Sequence, residues 1–258
     1  MKTIDIHLIS WNRPKMTELV IRTIRRNTKR ENYRLVVLDN GSDGDTPEKL
    51  EILHDQGLID EFIPIKTNLG LEAARNLLLR ECTMSDYFVC VDNDCLPQPI
   101  VDKDWLEKLY DLIQKYPEYK AIAARTQVMI GSGDPFDGFE GDLLDFPHPG
   151  GSFRLMDTKA VWEVGGWQRE ASGRGQEEKY ICGKLREFGY KTGFASDVRC
   201  LHLFGPKDTT DRWGYHKNLK PEDTGHSDIY HPALEQGDDI IQLLEYAGEA
   251  DVKRYNQE

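Results

Sequence analysis

Ile4-Asp5-Ile6-His7-Leu8-Ile9-Ser10-Trp11-Asn12-Arg13-Pro14 is an apolar run that ends at a polar turn, and beyond it Leu19, Ile21 and Ile24 fall at helical spacing. Strand then helix is the first phrase of the chain. It returns as Tyr33 to Asp39 followed by Thr46 to His54, with Thr46 expected as the helix N-cap and Pro47 at the first helical position. It returns again as Phe62 to Ile65 with Leu71 to Glu81, and as Tyr87 to Asp92 with Asp104 to Tyr116. Four such units in succession predict an α/β fold in which a mostly parallel sheet carries helices on both faces.

The second half is less regular. Gly131 to Pro149 is rich in Gly, Asp and Pro and reads as a long loop. A strand from Gly151 to Met156 is expected next, then a short helix from Asp157 to Val164 ended by Gly165-Gly166-Trp167. Glu177 to Phe188 has the pattern of an amphipathic helix stopped by Gly189, and Val198 to Phe204 is a further apolar run. Residues 206–258 differ in composition and are expected to form a C-terminal extension to a catalytic domain of residues 1–205, with a last helix from Ala233 to Tyr246. Trp213, Tyr215, His216, Lys217, His226, Tyr230 and His231 in that extension suit either a lid or acceptor loop stacking on sugar rings, or a strap covering apolar surface.

Composition narrows the class. The 258 residues include 33 Lys+Arg and 45 Asp+Glu, a formal charge of -12, and 39% are hydrophobic, which is enough to enclose a core. Nucleic acid is not an expected partner, because backbone binding rests on clustered cations. No apolar stretch approaches the roughly 18 residues that a membrane span needs, and the N-terminus lacks the pattern of a secretory signal. A cytoplasmic location is therefore the expectation. Cys82, Cys90, Cys95, Cys182 and Cys200 contain no C-x-x-C pair, so reduced thiols are expected rather than a disulfide framework or a zinc knuckle.

Open α/β sheets place ligands beyond the carboxyl ends of their strands. At those ends stand Ser10-Trp11-Asn12-Arg13, Asp39-Asn40-Gly41-Ser42-Asp43, Asn68-Leu69-Gly70 and Asp92-Asn93-Asp94. Asp92 and Asp94 are spaced to converge on one hard divalent cation while leaving positions open for phosphate oxygens, although Asp and Asn also make ordinary polar turns. Asp39 can accept a hydrogen bond from a nucleobase or ribose, or close an Asx turn. Arg75 can fork onto a phosphate or carboxylate, or serve a structural ion pair. Glu177 and Glu178 at a helix start fit the helix dipole, and one of them can act as a general base. His202, in an apolar run, is on its own more often a core residue than a ligand.

Taken in order, these features resemble the GT-A glycosyltransferases, a Rossmann-like fold, and family 2 in particular, over about residues 4 to 205. The resemblance implies that Asp92-Asn93-Asp94 is the D-x-D motif, with Asp92 and Asp94 holding Mn2+ or Mg2+ and His202 as a further metal ligand. It also implies that Asp39 contacts the base, that Ser10, Trp11 and Arg13 flank the nucleotide, and that Asn68, Arg75, Asp92 and Asn93 lie at the diphosphate and sugar. The family's later acidic motif falls on Glu177, with Lys184 and Gly189-Tyr190 in the positions that follow, which puts the catalytic base at Glu178 where Asp is customary and leaves Glu177 as its competitor. The Gly150-Gly151 and Gly165-Gly166-Trp167 blocks are also similar to those of retaining enzymes that glycosylate polypeptides. The implied activity is metal-dependent transfer of a sugar from a nucleoside diphosphate sugar, taken to be UDP-linked, to an acceptor hydroxyl, with inversion and Glu178 as base. A sugar nucleotidyltransferase would ordinarily carry a Gly-rich basic loop after the first strand, which Ser10 to Pro14 is not. A non-catalytic nucleotide- or sugar-binding protein on the same scaffold is the remaining alternative.

Overall fold

The computed structural model describes residues 1–97, 103–126, 139–150, 153–168 and 177–202. The expected extension and its helix, Gly151, and the end of the run from Val198 to Phe204 therefore lie outside the described residues, and His202 is described by its backbone alone.

β1 (Ile4–Ser10) leads into α1 (Pro14–Asn27), β2 (Tyr33–Asn40) into α2 (Thr46–Asp55), and β3 (Glu61–Ile65) into α3 (Leu71–Leu77). β4 (Tyr87–Asp92) and the short β5 (Cys95–Pro97) precede α4 (Trp105–Lys115) and β6 (Tyr119–Thr126). Then come β7 (Leu143–Asp145), β8 (Arg154–Asp157), α5 (Thr158–Glu163), α6 (Glu177–Glu187) and β9 (Lys191–His202). The strands form one sheet in the order β3-β2-β1-β4-β8-β6-β9-β5, with β7 on β9. β3, β2, β1 and β4 are mutually parallel, as the repeated strand–helix units require, while β8 enters antiparallel to both β4 and β6.

Alternation along the strands gives the sheet two apolar faces. Val89 and Val91 join Ile6, Leu8, Leu35 and Val37 beneath α1, α2 and α4, whereas Phe88 and Cys90 face the other way onto α5 and α6. Val36 and Leu38 complete that second side against α3. In α1 the buried Met16, Leu19, Val20, Thr23 and Ile24 recur every three or four residues, which aims one stripe at the sheet. α4 is fixed by a capping box in which Asp104 and Glu107 satisfy each other's backbone N–H groups.

Several boundaries differ from expectation for local reasons. Asp45, not Thr46, is the residue before α2; Thr46 is buried in the first turn with Pro47. The helix expected to Glu81 changes at Leu78–Cys82 into a wider π turn, which keeps Leu78, Leu79 and Cys82 buried and so leaves the apolar pattern almost unaltered. The strand expected from Gly151 begins at Arg154, after Phe153 at φ 46. β6 was not anticipated, because Ala121, Ala123 and Ala124 are weak strand formers. β9 starts at Lys191 rather than Val198, across Gly193, where an added Cβ would lie 2.4 Å from the Leu144 carbonyl oxygen. The stretch expected to be loop before Pro149 contains β7.

Candidate active site

β1, β2 and β4 end together, because the parallel register sets Ser10 beside Asp39 and Ile9 beside Asp92. The polar residues singled out after these strands therefore share one rim of the sheet. Asp92, Asn93 and Asp94 leave β4 as a turn, and each is held from elsewhere in the fold. Arg75 on α3 donates from Nη2 to Asp92 Oδ1 at 2.8 Å and from Nη1 toward the His7 carbonyl at 3.5 Å. Arg13, at the mouth of α1, reaches Asp94 Oδ2 at 3.3 Å. One helical turn later Thr17 accepts from Asn93 Nδ2 at 3.2 Å and lies 2.9 Å from Ser10 Oγ. Arg75 is only 1% exposed, so its guanidinium serves Asp92 and the β1 backbone from beneath the rim.

Asp39 is buried and accepts from both the backbone N–H and the hydroxyl of Ser42. Burial raises its carboxyl above the ordinary aspartate value, against the lowering effect of the Ser42 bonds. Ser42 Oγ in turn accepts from the Asn12 backbone at 2.9 Å, where Asn12 adopts φ 52, and the Asn12 amide oxygen takes the Asp43 N–H at 2.6 Å. Asn68 sits on the next loop, accepting from Asn40 Nδ2 at 3.2 Å and the Gly70 N–H at 2.8 Å. Trp11 is half-buried beside this pair of loops.

A second buried charge pair lies beneath. Arg154 on β8 is 0% exposed; its Nη2 is 3.5 Å from Oε2 of Glu177, itself 5% exposed, and its Nη1 donates to the Pro149 carbonyl at 3.2 Å. Cys90 is the register partner of Arg154 on β4: burial pushes its thiol up, and the Arg75 and Arg154 guanidiniums oppose that shift. Glu177 is thus the inward-facing member of the acidic pair, and Glu178 is half-buried next to it. The backbone of His202 pairs with Cys95, which brings residue 202 to the strand that follows the Asp92–Asp94 turn.

Arg75 is thus paired with Asp92 and Arg13 with Asp94, Ser10 meets Asn93 through Thr17, and Asp39 and Asn68 stand along the same rim. Glu177 and Glu178 approach from the α6 side. Sequence reading passed over Thr17 and Arg154. An arginine inside the apolar Phe153 to Met156 run was the available sign for Arg154, since a charge there requires a buried partner.

A cation fits this turn chemically. Donor atoms of Asp92, Asp94 and Cys95 lie within 4.8 Å of one another, the only such group among the described residues, and carboxylate oxygens are the hard donors that Mg2+ and Mn2+ prefer. No helix among the described residues is long and apolar enough to cross a membrane.

Residues 5–165 match the family model described as Glycosyl transferase family 2. Among solved structures, a mannosyltransferase, PcManGT from Pyrobaculum calidifontis, in complex with GDP-Man and Mn2+, aligns with TM-score 0.64 and 18% identity over 81% of this chain and 59% of that one. GalNAc-T7 with UDP, GalNAc and Mn2+ aligns with TM-score 0.65 and 15% identity over 80% of this chain and 45% of that one. The chain thus spans less than two thirds of either structure. No curated protein matches the sequence. The shared architecture is the GT-A fold, and with the family model covering β1 through α5 the chain belongs to glycosyl transferase family 2.

Proposed function

We propose that the protein is a metal-dependent glycosyltransferase that moves a sugar from a nucleoside diphosphate sugar, UDP-linked, to an acceptor hydroxyl with inversion. The observation that carries this reading is the Asp92–Asp94 turn, braced by Arg75 and Arg13 at the strand ends where GT-A enzymes take their donor. Asp92 and Asp94, with His202, would hold Mn2+ or Mg2+, which supplies Lewis-acid stabilisation of the charge that develops on the departing diphosphate. Such a cation also answers the net charge of -12, which would otherwise oppose an anionic donor.

The remaining work falls to the protein's own groups. Asp39 accepts a hydrogen bond from the base or ribose, and the Ser42 contacts orient its carboxyl for that purpose while partly offsetting the upward effect of burial. Ser10, Trp11 and Arg13 flank the nucleotide, and Asn68 and Asn93 offer amide groups toward the diphosphate and sugar. Arg75 acts through Asp92 by fixing the carboxylate that binds the cation. Glu178 takes the proton from the acceptor hydroxyl, because Glu177 is committed to Arg154.

Thermal shift with UDP, GDP and their sugars, with and without Mn2+, tests the reading. A ligand at a hundredfold excess over its Kd adds about 2.7 kcal/mol, which for a domain of this size raises Tm by roughly 5–10 °C. The expected result is a rise that needs both nucleotide and Mn2+ and is lost in Asp94→Asn. No rise with any nucleotide in the presence of Mn2+ would overturn it. A rise with UDP-sugars but no hydrolysis or transfer would favour the binding-protein alternative.

A further inference from the structure

We propose that Asn76 is a positioning residue, one that sets where α6 and its Glu178 stand relative to the Asp92–Asp94 turn. The inference rests on reading Glu178 as the base of a transferase, and it names the contact that ties that base to the donor side. Asn76 follows Arg75 on α3 and commits both ends of its amide to one residue on the far side of the fold. Its Nδ2 donates to the Trp167 carbonyl at 2.6 Å, and its Oδ1 accepts the Trp167 N–H at 2.9 Å. The side chain thus imitates a strand neighbour, exchanging both bonds with a main chain 91 residues away. The partner segment is shaped to receive it: Gly166 turns at φ 70, and an added Cβ there would lie 2.5 Å from Asn76 Oδ1.

Trp167 carries the restraint to α6. Its ring is buried, meets Phe88 edge-on at 6.2 Å and belongs to the same apolar cluster as Ile181, Cys182 and Leu185. Those three residues stand three, four and seven places after Glu178, so they continue the stripe of α6 on which Glu178 begins. On the other side Arg75 holds Asp92 at 2.8 Å. Two neighbouring residues of one short helix therefore grip both sides of the site, Arg75 the carboxylate turn and Asn76 the wall that bears the base. Apolar packing is non-directional, whereas a pair of hydrogen bonds fixes distance and angle together. Such precision matters here, since a misplacement of about 1 Å between base and reacting centre can cost about 10²-fold in rate.

The test follows release of nucleoside diphosphate from a panel of UDP- and GDP-sugars by the full chain, with Mn2+ present and water as acceptor. For Asn76→Ala the expected kcat is lower by roughly 10–100-fold, with KM for the donor within about threefold of wild type. Asn76→Asp keeps an acceptor for the Trp167 N–H, guards against failure to fold, and should fall between the two. Asn32→Ala removes a buried side-chain bond at the opposite end of β2 and should leave kcat within about twofold. Because Asn76 acts through Glu178, adding Asn76→Ala to Glu178→Gln should lower kcat by less than about threefold more. Losses that multiply in the double variant, a change in KM alone, or a normal kcat in folded Asn76→Ala would overturn the inference and leave the transferase reading standing. A folded wild-type chain that releases nothing from any donor would overturn that reading, and the inference with it.

Discussion

Glu177 and Glu178 are chemically alike and adjacent, and their surroundings separate them. Glu177 shares a buried space with Arg154, so Glu177→Gln removes the counter-charge and leaves a guanidinium with no water around it. That change should cost about 3 kcal/mol of stability, read as a lower urea midpoint. Glu178→Gln should shift stability by less than about 1 kcal/mol and lower turnover by roughly 10²–10⁴. The opposite pattern, a stable Glu177 variant without turnover and an active Glu178 variant, would exchange their roles. Sequence alone could place the two carboxylates at a helix start but could not orient them, because which flank of α6 faces β8 depends on a contact 23 residues away.

The loop after β2 turns through Gly41 at φ 73, where an added Cβ would sit 2.4 Å from the Asn68 backbone nitrogen and 2.5 Å from the Thr67 carbonyl carbon. Both obstacles are backbone, so the β2 and β3 loops must part to admit a methyl group. Gly41→Ala should therefore cost more than about 2 kcal/mol and weaken nucleotide binding, whereas Gly57→Ala, at φ 74 with nothing within 4 Å, should cost only about 1 kcal/mol. Equal costs by denaturation would show that the crossing of the loops carries no strain. The first four strands were legible in the sequence because each carries enough β-branched, Leu or aromatic residues to stand out between turn formers, although β1 holds Asp5 and His7 and the edge strand β3 is only half-buried. β6 was not, since three of its buried positions, Ala121, Ala123 and Ala124, are alanines with little strand propensity. The rim was equally legible as a set of residue types at strand ends, but the braces from Thr17 and Arg75 depend on how α1 and α3 lie on the sheet.

At the scale of the whole molecule, one buried polar residue beneath the rim ties stability to pH. His7, stacked on Phe88 inside the sheet layer, is held neutral by burial, its pKa lowered from 6.5 to about 3, with Asp5 pulling upward and Arg75 and Arg34 pushing further down. Below about pH 6.5 the unfolded chain takes up a proton that the folded one refuses until near pH 3, so stability must fall as the solution is acidified through that window. The slope from this one group approaches about 1.4 kcal/mol per pH unit. His7→Gln should flatten the acid limb of the stability curve measured by urea titration at a series of pH values, and an unchanged limb would assign the loss to other groups. The bracing of the Asp92–Asp94 turn has a consequence of its own. In the proposed centre Arg75 and Arg13 already stand against those carboxylates as resident counter-ions, each on one oxygen of its partner. On that reading the turn carries no uncompensated pair of negative charges before a cation binds, and its poise toward a cation depends on α3 and on the residue that opens α1, neither of which contributes a ligand.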